Sequence, residues 1–359
     1  MKILFINQNQ FGYHMDTWYY CKYLHSEFKI TYICFDQGLE KKHIQGVDVI
    51  YIPFDIGPLK RNLRLLSESQ RFIDDYELEF VFIKYFRFCS YLAFRNFRKR
   101  KIFNLDVRTG SVVSKFWVRY ANDLFMRIEA VFFKNISVIS ESLRAKLRLS
   151  TSALILPLGA DSLYKGCHPD MSFIRMCYIG TFTDRHLETV VLGIAHYIET
   201  TEDHNVSLDL FGSGWRGEEL KLKMLVDEVG LNENIKFHGY IHHDRLNSLF
   251  GNYNVGVSYV PMTDFFNFQP VTKTFEYIFS GLYVIATRTA ENAKVVSGTH
   301  GILIDDDVES FSRALKHIRD SEYELNSRDL SYARLEKYHW HSISNILKTY
   351  IFKISRSGK

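Results

Sequence analysis

Cysteine is scarce and scattered: five in 359 residues, at Cys21, Cys34, Cys89, Cys167 and Cys177, with no C-x-x-C pair. An odd, unpaired set argues for a reducing compartment and against a structural zinc site. Long apolar runs are also missing. No stretch approaches the ~20 residues of a spanning helix. The first residues, MKILFINQNQ, hold an apolar run of only four, too short for a secretory signal and suited to a first β-strand. A cytoplasmic protein is expected. There is no internal repeat and no low-complexity segment. No Ser-His-Asp or Cys-His arrangement can be argued from residue order alone.

What is present is a chain long enough for two domains, with 46% hydrophobic and 24% charged residues. The net charge of +4 conceals two opposite halves. Up to Lys165 there are 25 Lys and Arg against 16 Asp and Glu; beyond it the counts are 20 and 25. A basic first half and an acidic second half imply different partners.

Strand and helix patterns alternate along the chain, which predicts α/β architecture with parallel sheets covered on both faces. Strands are expected at Lys2 to Ile6, Ile30 to Phe35, Val49 to Phe54, Phe80 to Tyr85, Lys101 to Val107 and Ile136 to Ile139. Helices are expected at Pro58 to Asp75 and Phe116 to Phe133, and Ser140 is a plausible helix cap. The pattern pauses at Leu163 to Ser172, a Gly, Pro and polar stretch of linker character, and then restarts. Two Rossmann-like domains follow, 1–162 and 163–339, the last helix (about 340–359) returning to the first. Domains of this kind bind ligands at the carboxyl ends of their strands, and two sets of ends facing each other would form a cleft.

The second domain is organised around Pro270 to Thr287, PVTKTFEYIFSGLYVIAT. Apolar residues at helical spacing, then Gly281 as a C-cap, then a β-branched run predict helix, stop and buried strand. Lys273 and Glu276 share one face of the first turns, where a helix N-terminus collects anions. The pair suits a phosphate and sugar hydroxyls; the alternative is an i,i+3 ion pair on a solvated helix. Gly212, Gly214 and Gly217 spell G-x-G-x-x-G, but no acidic residue ends the next strand, where His238 and Gly239 stand. A glycine turn near a phosphate therefore fits better than a dinucleotide site. Asp305, Asp306 and Asp307 match a D-x-D metal pattern, yet lie where acids cap a helix, and capping is the expectation. His242, His243 and Asp244 lack a spaced third ligand; no metal site is expected.

In the first half, Lys60 to Lys101 carries eleven Lys or Arg interleaved with aromatics. A solvated face, an anionic membrane surface and a phosphate-bearing lipid all remain open; no nucleic-acid fold motif accompanies the segment, and no nucleic-acid partner is expected. Asp106 ends a strand, where a carboxylate serves as a general base or as a loop cap. Gly12, closing the polar loop after the first strand, is a further ligand-binding candidate.

Six stretches together resemble the GT-B glycosyltransferases, most closely family 4 of the nucleotide-sugar-dependent enzymes. They are Val138 to Leu143, Ile155 to Asp161, Tyr178 to Thr181, Leu210 to Gly214, Ile235 to Tyr240, and Lys273 to Tyr277 with Gly281. The resemblance implies a cytoplasmic glycosyltransferase, with no cofactor or metal beyond its donor, a UDP or GDP sugar. The acceptor would be a glycan or lipid-linked precursor in surface polysaccharide synthesis, with the first domain peripheral to the inner membrane face. By resemblance Glu276 holds the ribose, Gly180 and Gly212 admit the diphosphate, Lys273 lies near the phosphates, and Gly239 and Tyr240 flank the base. Asp106 is the candidate first-domain catalytic residue. Two positions depart from the family: Phe268 stands for its paired glutamate and Thr181 for an arginine, with Arg185 or His186 as replacement. A GT-B epimerase or hydrolase and a non-catalytic sugar-nucleotide-binding subunit are the alternatives.

Overall fold

The computed structural model describes residues 1–54, 57–99, 101–111, 113, 115–242, 245–328 and 335–357. Arg100 of the basic segment, and His243 and Asp244, lie outside the described residues. The chain divides into two compact units, Met1–Gly159 with Lys337–Lys359, and Ala160–Glu336.

The first unit holds β1 (Lys2–Ile6), α1 (Met15–Leu24), β2 (Lys29–Asp36), β3 (Val47–Pro53), α2 (Pro58–Asp75), β4 (Phe80–Lys84), α3 (Ser90–Arg95), β5 (Ile102–Val107), α4 (Phe116–Ala130), β6 (Asn135–Val138), α5 (Glu141–Lys146) and β7 (Leu154–Ile155). The strands form one parallel sheet in the order β3-β2-β1-β4-β5-β6-β7. β1 lies inside the sheet, with Phe5 in register between Tyr32 and Phe82. Its side chains are buried on both faces after Lys2, as helices on both sides of a parallel sheet require. Ser140 caps α5, accepting from the Leu143 amide at 3.1 Å. The short α3 was not anticipated, because six residues are too few to show helical periodicity.

The second unit holds β8 (Ile174–Ile179), α6 (Glu188–Thr201), β9 (Val206–Phe211), α7 (Glu218–Glu228), β10 (Ile235–Gly239), α8 (Leu246–Phe250), β11 (Val255–Ser258), α9 (Thr272–Phe279), β12 (Tyr283–Thr287), β13 (Gly301–Ile304), α10 (Val308–Asp320) and α11 (Glu322–Asn326). Its six strands are parallel, in the order β10-β9-β8-β11-β12-β13. Both halves are thus doubly wound α/β units.

The last helix, α12 (Trp340–Ser357), packs against α1 of the first unit. Trp340 is buried and stacks on Tyr19, with ring centroids 5.1 Å apart and planes 10° apart. Gly159 makes room for it: a Cβ there would stand 2.5 Å from Ile343. The return of the terminal helix, expected above, is therefore secured by apolar contact along one helix face.

Candidate functional site in the second unit

The site begins with how α9 is held. Tyr277 is buried, and its hydroxyl accepts from the Ile179 amide at the end of β8, at 3.0 Å. Its ring lies on Gly256 of β11, where a Cβ would come within 2.4 Å. Thr274 bonds Ser258 at 2.6 Å and donates to Asn292 Oδ1 at 3.0 Å. At the other end Gly281 takes φ 86° and the Leu282 amide bonds the Tyr277 carbonyl, a C-terminal stop that glycine makes easy. These contacts fix the register of the helix and hence of Lys273 and Glu276.

The first turn of α9 has no side-chain cap; Val271 occupies the cap position. Lys273 forms an ion pair with Glu276. The expected alternative of a solvated ion pair is half right: the pair forms, but Glu276 is buried. A carboxylate out of water with one partially open cation is a built polar site, since burying it without a partner is costly.

The strand end that Tyr277 holds, Ile179 of β8, leads directly into the first glycine turn. Gly212 has φ 144°, and a Cβ there would stand 1.7 Å from the Gly180 carbonyl oxygen. The loops after β8 and β9 therefore touch backbone to backbone, which no other residue at 212 permits. The Gly180 amide bonds the Phe211 carbonyl at 2.9 Å, and the Gly212 amide bonds the Gly239 carbonyl at 2.7 Å. Thr181 ties the same loops, donating to the Ser213 carbonyl at 3.3 Å. Gly214 leaves space for Glu218, which accepts from the Arg216 amide at 2.7 Å. Gly217 stands at the cap position of α7. Gly239 turns with φ 67°, leaving Tyr240 exposed with its ring against His242. His238 stacks on Phe211 at 4.6 Å and bonds Asp209 at 2.9 Å.

Arg185 was only an alternative in the sequence; here it has a seat. Its guanidinium lies 4.4 Å from the centroid of the Phe266 ring, near the Tyr178 hydroxyl, which donates to the Thr181 carbonyl at 2.7 Å. Burial pushes that hydroxyl up to about 12, against the pull of Arg185. Phe266 lies in the short turn that leads into α9, braced by Phe265 at 4.8 Å. Sequence reasoning missed Phe266, for a cation–π contact between distant segments leaves no local pattern.

Asp307 caps α10, accepting from the Ser310 amide at 2.6 Å. Asp306 accepts from the Met262 amide at 2.9 Å and from Tyr259, and Asp305 pairs with Arg288 at 3.4 Å. Of the three acids Asp307 alone is the helix cap.

Two expected residues belong to the first unit. Gly12 has φ 91° and packs under the Lys42 side chain. Asp106, at the end of β5, has no exposed surface. It accepts from Ser137 Oγ at 2.7 Å, and its other oxygen lies 3.8 Å from Arg108 Nε. Arg108 pairs with Asp16 at 2.5 Å and donates to the Leu156 carbonyl at 2.7 Å. Burial pushes the Asp106 carboxyl up to about 6, against the pull of Arg108. In this geometry the Asp106 carboxylate is enclosed, holds Ser137 and faces Arg108. Nearby, Lys84 donates to Asn9 at 2.7 Å, and burial lowers its ammonium to about 8.

Comparison with known proteins agrees with this architecture. Residues 174–321 match the family model "Glycosyl transferases group 1". None of the curated proteins matches. Sucrose-phosphate synthase of Thermosynechococcus elongatus is similar over 99% of this chain and 100% of that one, with TM-score 0.77 and 15% identity. Anabaena HepE, solved with UDP and glucose, is similar over 98% of this chain and 100% of its own, with TM-score 0.73 and 13% identity. The lipopolysaccharide outer core galactosyltransferase WaaB is similar over 98% and 99%, with TM-score 0.67 and 12% identity. At such identities the structural likeness shows the fold alone. The chain thus has the GT-B fold, and residues 174–321, within its second unit, match the glycosyl transferases group 1 family.

Proposed function

We propose that this enzyme moves a sugar from a UDP or GDP sugar to a hydroxyl of a glycan or lipid-linked acceptor in surface polysaccharide synthesis, in the cytoplasm. The observation that carries the reading is the buried Glu276, paired with Lys273 at the uncapped start of α9, a helix whose Tyr277 holds the end of β8 where the glycine turns begin. Glu276 accepts from the ribose hydroxyls. The amides of the first turn and Lys273 take the diphosphate, with Arg185 as a second cation. As the bond between sugar and diphosphate breaks, negative charge grows on the leaving oxygen. Cations fixed in advance stabilise that charge more than they stabilise the ground state, and the scheme uses no metal ion. Tyr240 stacks on the base. The UDP held by HepE supports a uridine donor.

A binding subunit without turnover is the second reading. It is favoured by Phe268 in place of the family's paired glutamate and by Thr181, whose hydroxyl is spent on tying two loops.

Thermal-shift measurement with UDP, GDP and their sugars tests the assignment. A ligand at 100 times its Kd stabilises by about 2.7 kcal/mol. Stabilisation by one nucleotide class, lost in Glu276→Ala, is expected, followed by release of that diphosphate when acceptor is added. Absence of any shift overturns the donor site; a shift with no turnover on any acceptor supports the binding subunit.

A further inference from the structure

The first unit carries an apolar surface that no part of the donor site uses. α4 has two apolar faces. One, with Met126 and Ala130, is buried, and Phe133 just past the helix end is buried too. The other, Trp117, Tyr120, Leu124, Ile128 and Val131, repeats at helical spacing and is exposed, Trp117 by 78% and Val131 by 83%. A helix apolar on its outer side is out of place in water. The neighbouring α3 segment extends the surface. Phe94 meets Phe132 edge-on at 6.1 Å, and Phe97 is 70% exposed. Phe88 holds its ring against Phe125 at 5.7 Å although its own φ is 74°, an unfavourable conformation for a bulky residue. A groove of about 300 Å³ between Phe88, Tyr91, Phe94 and Phe132 opens onto the patch.

The cations around the patch lie on its rings. Arg98 covers Phe97 at 5.2 Å, Arg119 covers Phe116 at 5.9 Å, and Arg87 covers Phe125 at 5.2 Å. Arg95 donates to the Tyr91 hydroxyl at 3.3 Å. Among the described residues none of these four guanidiniums is paired with a carboxylate. The carboxylates on α4 are engaged elsewhere: Asp123 accepts from the Ser111 amide at 2.7 Å, and buried Glu129 accepts from Tyr85 and Ser90.

We propose that the outer face of α4 together with α3 docks on an anionic lipid bilayer, the aromatic side chains entering the interface and the four arginines meeting lipid phosphates. Aromatic side chains with arginines flattened on them match a headgroup boundary, where rings sit below the phosphates and long cations reach up to them. A second copy of the chain is disfavoured by charge, because two such faces would bring like-signed rims together. The proposal deepens the lipid-linked acceptor reading. Bilayer capture needs no donor, however, so failure of the donor site and failure of this surface are separately visible.

The test is flotation of the full chain with vesicles of phosphatidylcholine containing about 30% phosphatidylglycerol, beside vesicles of phosphatidylcholine alone. Capture by the anionic vesicles at least about tenfold above the neutral ones is expected. Trp117→Ser with Phe97→Ser lowers that capture about tenfold at unchanged melting temperature. Arg98→Gln with Arg119→Gln removes the preference for anionic lipid and leaves residual binding. In the unaltered chain, brominated acyl chains quench a tryptophan signal that Trp117→Phe abolishes. The proposal is overturned by absence of capture, by capture unchanged in the aromatic variant, or by a dimer that the aromatic variant dissolves while vesicles bind neither form.

Discussion

Each unit places an ion pair near the carboxyl ends of its strands, and the two pairs are built differently. In the first, Arg108 and Asp16 are 4% and 8% exposed, with Asp106 sealed behind them. In the second, Glu276 is 6% exposed but Lys273 is 22% exposed. The closed cluster spends its charge on protein: a carbonyl, a tyrosine hydroxyl and two carboxylates. The half-open pair keeps a cation that can turn to a ligand. Burial alone therefore does not mark a binding site; burial of one member beside an accessible partner does.

Deleting the cation of each pair is the most direct way to break this comparison. Arg108→Met strands two buried carboxylates, and breaking a buried pair from one side costs about 3–5 kcal/mol. Urea unfolding should show that loss. Lys273→Met, judged by the same measurement, should cost less. A loss as large for Lys273 as for Arg108 would erase the distinction.

The next largest effect is a pH dependence. Asp106 has a folded pKa of about 6 against an ordinary 3.8. Between these values the folded protein holds a proton that the unfolded chain releases, so Asp106 lowers stability above pH 6. That loss is recovered as pH falls towards 4. Asp106→Asn lacks the term. The stability of the unaltered chain relative to the variant should therefore rise by up to about 3 kcal/mol from pH 7 to pH 4. A difference independent of pH would show that Asp106 does not titrate in this range.

The third effect is on binding. Lys273→Met should weaken UDP affinity about tenfold by calorimetry, the worth of one charge-assisted hydrogen bond, at a smaller stability cost than Arg108→Met. Unchanged affinity would assign the pair to folding alone.

The smallest concerns the aromatic seat. Phe266→Leu removes the ring under Arg185 and keeps the bulk. A cation–π contact is worth about 0.5–1 kcal/mol at a partly open site, so UDP affinity should fall about two- to fivefold and recover in Phe266→Tyr. Equal loss in both variants would point to packing of the turn instead.

Much of the second unit is legible in the sequence. The helix and strand in Pro270 to Thr287, with Gly281 as the stop, follow from apolar spacing and the conformational freedom of glycine. Strand and helix alternation gave two parallel sheets, because such strands are apolar on both faces. Ser140 and Asp307 cap helices at the places their side chains suggested. Local chemistry writes these features locally.

Other features needed contacts between distant segments. Asp106 read as an accessible strand-end carboxylate; only the pairing of β5 with β6 and the place of Arg108 show it enclosed. Arg185 gains a seat because Phe266 lies beside it. The second apolar face of α4 is left over only because the first is buried. The sequence by itself determined the alternation of elements, their stops and caps, and the candidates for phosphate contact, all set by periodicity and backbone freedom within a few residues. Tertiary structure alone decided which charges are sealed, which remain open and which apolar face is left over, since burial depends on what the rest of the chain places against each side chain.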